Sequence, residues 1–315
     1  MQKVQLGRSG IAVPPVIFGC NIFGWTVDKA QSFRLLDALV ESGLNALDTA
    51  DVYSYWVPGN SGGESETLMG EWLKARGRRH DVLILTKGGM EMPGLGKGIS
   101  AAWLTRAVED SLRRLNTDVI DLYQAHRDDE VTPHEETLGA FDAMIKAGKV
   151  RAIGASNYSV ARFKGALAAS AALGLPRYET MQPHYNLLER GIEADMLPLC
   201  ASEGVGVIPY YSLASGFLSG KYRSEADLGK SPRGTRGAGK YLDARGLKVL
   251  AALDAVGARY GASPAQVALA WFKGRPGLAA PIVSATSLEQ LAELVKAAAL
   301  VLDAAAVAAL DSASA

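Results

Sequence analysis

Leu44-Asn45-Ala46-Leu47-Asp48-Thr49-Ala50-Asp51-Val52-Tyr53 reads as a short apolar strand that runs straight into polar residues able to do chemistry. In a parallel α/β protein, ligands sit at the carboxyl ends of the strands, so Asp48 and Tyr53 fall at the functional edge of the sheet. Three later stretches end in the same way: Val82-Leu83-Ile84-Leu85-Thr86-Lys87, Val119-Ile120-Asp121-Leu122-Tyr123-Gln124-Ala125-His126 and Val150-Arg151-Ala152-Ile153-Gly154-Ala155-Ser156-Asn157. An Asp, a Tyr, a Lys and a His arriving at one face point to proton transfer.

Outward from that stretch the chain repeats a strand followed by an amphipathic helix. Strands begin near Val16, Leu44, Val82, Val119, Val150, Glu179, Val205 and Pro281, eight in all. Helices are expected over 29–41, 64–76, 101–115, 133–147, 160–173, 192–203 and 288–300, with two more after Gly239. Asp28 is placed to cap the first of them, and Phe33, Leu36, Leu39 and Val40 make its apolar face. Before the repeat, Val4 to Leu6 and Ile11 to Val13 flank Gly7-Arg8-Ser9-Gly10, the pattern of a β-hairpin that caps one end of the fold. Strands that read as continuous apolar runs belong to parallel sheets covered on both faces. Phe18-Gly19-Cys20-Asn21-Ile22-Phe23-Gly24 does not give the GxGxxG of an open dinucleotide-binding sheet. Eight βα units without it predict a closed (β/α)8 barrel, one domain over 1–315, with long loops at the catalytic face. Two insertions, 54–63 and the Gly-, Ser- and Arg-rich 212–240, both follow strands. Loops of this length in a compact domain are functional or disordered.

Composition narrows the partners. Lys plus Arg and Asp plus Glu are each 33, so the formal charge is zero and there is no electrostatic footprint for nucleic acid or an anionic membrane. A small-molecule ligand fits better. Cys20 and Cys200 have no CxxC spacing, which argues against a disulfide framework and a zinc site and predicts free core thiols. The segment from Met1 to Gly10 lacks an apolar stretch followed by a cleavage site, and no window is long and apolar enough to span a bilayer, so a cytoplasmic protein is expected. Oligomeric state stays open.

Taken singly, the four polar residues have plain explanations: Asp48 caps a turn, Lys87 snorkels off a strand end, and His126 is a satisfied structural histidine. Taken together they form a device. A tyrosine of pKa about 10 holds its proton at neutral pH, a nearby ammonium favours its phenolate, and a carboxylate keeps that ammonium charged in a dry pocket. His126 is placed to bond the substrate oxygen. Such a group delivers or removes a proton at oxygen, as carbonyl reduction requires.

These motifs resemble the aldo-keto reductase superfamily, including bacterial members related to its potassium-channel β-subunit-like branch. The similarity runs from Leu6-Gly7-Arg8-Ser9-Gly10-Ile11 to Glu293, with Leu47-Asp48-Thr49-Ala50-Asp51-Val52-Tyr53 as the signature. The resemblance implies Tyr53 as general acid, Lys87 tuning it, Asp48 supporting Lys87 and His126 orienting the carbonyl, with no metal. The family commonly carries a proline and an aspartate soon after the histidine, whereas here the run is His126-Arg127-Asp128-Asp129. The resemblance also implies a nicotinamide cofactor held without a Rossmann fold. Ser156, Asn157 and Gln182 match the carboxamide-binding set, and Tyr210 the stacking aromatic. Leu213, Gly216 and Lys221 fall in the pyrophosphate loop, and Ser284, Thr286, Gln290 and Glu293 in the adenosine segment. Thr286 and Ser287 stand where many relatives carry an Arg or Lys for the 2′-phosphate, and Leu294 replaces the usual asparagine. NADP(H) is kept narrowly ahead of NAD(H). Phe23, Trp25, Tyr55, Trp56 and Arg127 are expected to line the substrate pocket. Two alternatives stay open: an NAD-dependent dehydrogenase of a sugar or ring alcohol, and a cofactor-binding sensor or channel-subunit-like module with slow turnover.

Overall fold

A computed structural model describes residues 2–92 and 94–315; Met1, where the N-terminal reading begins, and Pro93 lie outside them. An antiparallel hairpin, β1 (Val4–Gln5) and β2 (Ala12–Val13), comes first. Then follow β3 (Ile17–Gly19), α1 (Lys29–Glu41), β4 (Ala46–Asp48), α2 (Glu64–Arg76), β5 (Leu83–Gly88), α3 (Ala101–Leu115), β6 (Ile120–Ala125) and α4 (His134–Lys146). The chain continues through β7 (Val150–Ser156), α5 (Val160–Leu173), β8 (Tyr178–Gln182), α6 (Met196–Glu203), β9 (Gly206–Val207), α7 (Ala244–Tyr260), α8 (Pro264–Ala270), β10 (Ile282–Val283), α9 (Leu288–Ala299) and α10 (Ala304–Ser314). The eight strands β3 to β10 are parallel in the order β10-β3-β4-β5-β6-β7-β8-β9. The two ends meet: Val207 bridges Leu278, and the Ile282 N–H donates to Pro209 O at 2.9 Å. The sheet is the (β/α)8 barrel that the eight βα units predict.

Alternation along the strands sorts side chains between two cores. Leu47, Ile84, Tyr123 and Ala125 face outward into the large apolar cluster beneath the helices. Ile17, Ala46, Leu85, Leu122 and Ala152 face inward and pack with Leu6, Ile11 and Val13 of the hairpin, which therefore plugs one end of the barrel. Two residues further along the same strands the interior changes character, to Gly19, Asp48, Lys87, Gln124 and Gly154. The polar layer sits at the carboxyl ends, opposite the plug.

The helices start where their capping residues dictate. Asp28, Ser100, Ser159, Asp243, Ser263, Ser287 and Asp303 each accept a backbone N–H of the first turn. In α1 the fully buried residues are Ser32, Leu35, Leu36 and Leu39, while Phe33 and Val40 are only partly covered, a rotation of the expected apolar face. The C-terminal α10 was not foreseen, because its alanine-rich run shows little contrast between faces. It is held through tertiary contacts: Trp271 Nε1 donates to Asp311 Oδ1 at 2.9 Å, and Arg245 to Ser314 O at 2.8 Å. Segment 212–240 is built from short 3₁₀ and π turns with Phe217, Leu218, Tyr222 and Ala238 buried. Both cysteines are buried free thiols, as expected. Among the described residues no helix is long and apolar enough to cross a membrane, and no cluster of His, Cys, Asp or Glu suits a metal.

Candidate active site

The register of β4 on β5 pairs Asp48 with Leu85, and the pairing continues past the strand end, with Thr49 N–H donating to Leu85 O and Asp51 N–H to Lys87 O. That continuation brings the inward side chains of Asp48 and Lys87 together over the apolar floor. Lys87 Nζ donates to Asp48 Oδ2 at 2.7 Å, to Thr49 O at 2.6 Å and to Tyr53 OH at 3.1 Å. Lys87 is 0 % exposed, so the ammonium's three protons are satisfied by protein alone. Burial opposes its charge, but Asp48 and Tyr53 outweigh that and hold its pKa above the ordinary lysine value. Burial likewise pushes the Asp48 carboxyl up, with Lys87, Gln182 and Gln124 pulling back. Oδ1 of Asp48 accepts from Gln182 Nε2 at 3.0 Å.

Tyr53 is set by a turn, its N–H on Ala50 O at 3.2 Å. Burial pushes its phenol up to about 12, and Lys87 pulls the other way. The lysine acts in the expected direction, yet desolvation wins, so the phenol stays protonated. His126, just past β6, sits 6.0 Å from the Tyr53 ring between centroids. Burial first, then the charges of Lys87 and Arg127, lower its pKa well below the ordinary histidine value. A neutral imidazole at this point keeps one N–H to offer. The unusual residues after it serve the loop: Asp128 takes a two-bond clamp from Arg162 on α5 at 2.6 and 2.9 Å, and Asp129 caps the backbone of Ile99, Val131 and Thr132.

Next to this group lies the set expected to hold a carboxamide. Asn157 has φ 56°, a left-handed conformation that asparagine tolerates better than most residues. Its Nδ2 donates to His126 O and Ser156 Oγ, both at 3.0 Å, and its Oδ1 accepts from Tyr210 OH at 2.9 Å. Ser156 Oγ donates to Gln182 O at 2.8 Å. Tyr210 lies stacked on His184, with 14° between the rings. The segment beyond it bends through Tyr211, Ala214, Ser215 and Gly216, all with positive φ. The bend is tight enough that the Ala214 and Gly216 N–H groups donate to Tyr211 O and Leu213 O at 2.7 and 2.8 Å. Gly216 and Lys221 stand side by side there, and Leu213 precedes the kink.

A cleft of about 220 Å³ opens beside the site, lined by Asn21, Trp25, Trp56, Tyr211, Ser215, Arg233, Arg236 and Gly237. Trp25 and Trp56 meet edge to face at 5.7 Å, and Trp56 in turn meets Tyr53 at 6.0 Å and the exposed Tyr55 at 5.8 Å. Arg233 lies over the Trp25 ring at 5.4 Å and donates to Asn21 Oδ1 at 3.2 Å. Among the described residues no carboxylate lies within ion-pair range of Arg233 or Arg236, and burial lowers the Arg233 pKa. Two guanidinium groups without acids in one cleft suit an anion.

Two expectations need correction. Phe23 is 0 % exposed and packs on Phe18 at 6.0 Å, so it backs the loop instead of lining the pocket; its side chain follows the apolar face of β3. Glu293 is already occupied: Oε2 accepts from Ser263 Oγ and Gln266 Nε2 at the start of α8, and Oε1 meets Lys296. Ser284 Oγ donates to Gly19 O and Asn21 Oδ1, while Thr286 and Gln290 bond each other at the start of α9. Arg127 is exposed at the rim. Gln124, Asn21, Arg233 and Arg236 were not singled out from sequence as site residues. Gln124 carried a signal in its two-residue spacing from His126 on a strand with inward Leu122, and Arg233 and Arg236 one in the Arg-rich composition of the 212–240 insertion.

The profile of the Aldo/keto reductase family matches residues 15–315. An uncharacterized oxidoreductase, YrpG, of Bacillus subtilis strain 168 is 33 % identical, covering 96 % of this chain and 93 % of its own. Aldo-keto reductase AFTS1 of Alternaria alternata is 34 % identical over 92 % and 85 %. A probable voltage-gated potassium channel subunit beta of Oryza sativa subsp. japonica is 33 % identical over 94 % and 91 %.

Proposed function

The chain belongs to the aldo/keto reductase family, and from that premise we propose that it is a single-domain reductase over 1–315 that converts an aldehyde or ketone to the alcohol, with Tyr53 as the acid. One observation carries the reading: a fully buried ammonium, Lys87, bonds both the Asp48 carboxylate and the Tyr53 hydroxyl. The chemistry that a nicotinamide dinucleotide would supply, held by Ser156, Asn157, Gln182 and Tyr210, is a hydride for the carbonyl carbon. The Tyr53 O–H then gives its proton to the carbonyl oxygen as negative charge grows there. The Lys87 charge stabilises the phenolate left behind, and Asp48 keeps Lys87 from losing its proton first. The neutral His126 donates to the same oxygen. Trp25, Tyr55, Trp56 and Arg127 wall the approach and exclude water.

The residues present suit such a cofactor. Ser156, Asn157 and Gln182 offer amide and hydroxyl groups for the carboxamide, Tyr210 a plate for the ring, and Leu213, Gly216 and Lys221 the bend for pyrophosphate. Ser284, Thr286 and Gln290 are assigned the adenosine end. Arg233 and Arg236, with no carboxylate in ion-pair range among the described residues, favour NADP(H) over NAD(H), because Thr286 and Ser287 alone bring only hydroxyls to a phosphate. The buried thiols suit a reducing cytoplasm. A slow-turnover channel-subunit role has support from the rice relative's name, and co-purification with a membrane partner would favour it.

Replacing Tyr53 by Phe is expected to lower turnover by about 10³-fold while thermal unfolding and NADPH binding stay as in wild type. Binding is followed by quenching of tryptophan fluorescence, since Trp25 and Trp56 line the cleft. Turnover that survives the substitution removes Tyr53 from the mechanism, and NADH bound more tightly than NADPH favours the dehydrogenase.

A further inference from the structure

Layers inside a (β/α)8 barrel draw their members from alternate strands and are ordinarily branched aliphatic residues. The uppermost layer here is different. Asp48 on β4, Gln124 on β6 and Gln182 on β8 meet across the interior, with exposures of 1, 0 and 2 %. Gln182 Nε2 donates to Asp48 Oδ1 at 3.0 Å and to Gln124 Oε1 at 3.3 Å. The intervening β7 makes room for this: at Gly154 a Cβ would stand 3.0 Å from Gln124 Cγ and 2.1 Å from Thr180 Oγ1. A glycine in mid-strand costs stability, so its presence beneath the amide needs a reason.

We propose that Gln124 is a positioning residue for the acid Tyr53, acting by fixing which end of the Gln182 amide faces Asp48. This rests on the reading of Tyr53 as proton donor. A carboxamide has a donor end and an acceptor end of nearly equal shape. Turned the wrong way, Gln182 would aim its carbonyl at the Asp48 carboxylate. Gln124 Oε1 supplies a second acceptor on the far side, so the orientation with both N–H groups used inward satisfies the two neighbours, while Gln124 Nε2 itself has no hydrogen-bond partner. Asp48 then has Lys87 on one oxygen and an amide on the other. A buried carboxylate stripped of such a donor takes up a proton, and the nearest belongs to Lys87. The pair would become neutral, and the positive charge 3.1 Å from the Tyr53 hydroxyl would vanish. Gln124 thus reaches Tyr53 through three intervening residues, Gln182, Asp48 and Lys87, without touching it.

The other groups facing Tyr53 are His126 from the loop after β6 and Tyr211 and Arg233 from the loop after β9; Cys20 faces Asp48. None of them contacts Gln124 by a hydrogen bond, so the variant changes one input. In Gln124→Leu, and in the unbranched Gln124→Met if the first folds poorly, kcat for carbonyl reduction is expected to fall about tenfold. The alkaline limb of the kcat–pH profile is expected to move up by about one unit, because an acid without its lysine charge ionises later. NADPH affinity should change less than about threefold. An independent readout needs no substrate: Gln124→Leu minus wild-type infrared difference spectra at neutral pH, in which the Asp51 contribution cancels, should show an added protonated-carboxyl band that is missing when Asp48→Asn is combined with Gln124→Leu. A moved limb or the new band supports the assignment. A wild-type profile together with no band overturns it. If wild type itself reduces no carbonyl, the reaction assigned above has failed, and the infrared band alone decides the role of Gln124.

Discussion

Asp48 and Asp51 stand three residues apart on one loop, each 1 % exposed, and they are opposite cases. Asp48 accepts from Lys87 and Gln182, while neither oxygen of Asp51 has a hydrogen-bond partner. Burial, and after it the charge of Glu66, pushes the Asp51 carboxyl up to about 8. Glu66 is itself fully buried, yet it is supplied, by Arg114 Nε at 2.7 Å and Thr86 Oγ1 at 2.5 Å. In a dry interior the donors and cations brought to a carboxyl oppose the proton uptake that burial favours, and residue type does not. Asp48, bonded to Lys87, faces the barrel mouth and bears on chemistry. The protonated Asp51 and the Glu66–Arg114 pair lie behind it, between α2 and α3.

The sharpest break in that contrast comes from Asp48→Asn. It strands a buried ammonium, so unfolding free energy should drop by about 3 kcal/mol, and steady-state turnover by about 100-fold or more. Arg114→Met attacks the other cluster: Glu66 loses its cation, and denaturant melts should show a loss of about 2 kcal/mol. Turnover per folded molecule should change less than about threefold there. An equal loss of turnover would mean the clusters act as one.

Asp51→Asn should do least below about pH 4, where the wild-type side chain carries a proton in the folded and the unfolded chain alike. Its effect grows with pH. The folded value near 8 lies above the unfolded value of about 4, so the folded state binds the extra proton between them and wild-type stability falls as pH rises through that window. At pH 9 the variant, which cannot ionise, should be more stable by about 1–3 kcal/mol in chemical melts. Parallel stability–pH curves for the two proteins would place Asp51 among ordinary carboxylates. The Gln124 variants complete the series, because they take a donor's support from Asp48 without touching a charge.

Much of this molecule is legible in its amino acids. Eight βα units, the hairpin, the cap at Asp28 and the bounds of α2, α3 and α5 follow from periodicity and capping chemistry, which act over a few residues. The strand-end positions of Asp48, Lys87 and His126 follow as well, because a parallel barrel puts all such ends at one mouth. What acts across the fold was not legible. Phe23 was misassigned because loop position does not reveal which way a ring turns. The cap α10 depends on Arg245, Trp271 and Arg275 reaching it from other elements.

The sequence by itself determined the order and period of the elements and the chemical inventory at the strand ends, since both are local properties of the chain. Only the tertiary structure decided which groups are charged. Closing the barrel sets Gln182 against Asp48, 134 positions away, and folds Arg233 over Trp25. Ionisation in a buried site depends on donors and neighbours brought from distant strands, a sum over three-dimensional distances that no stretch of sequence contains.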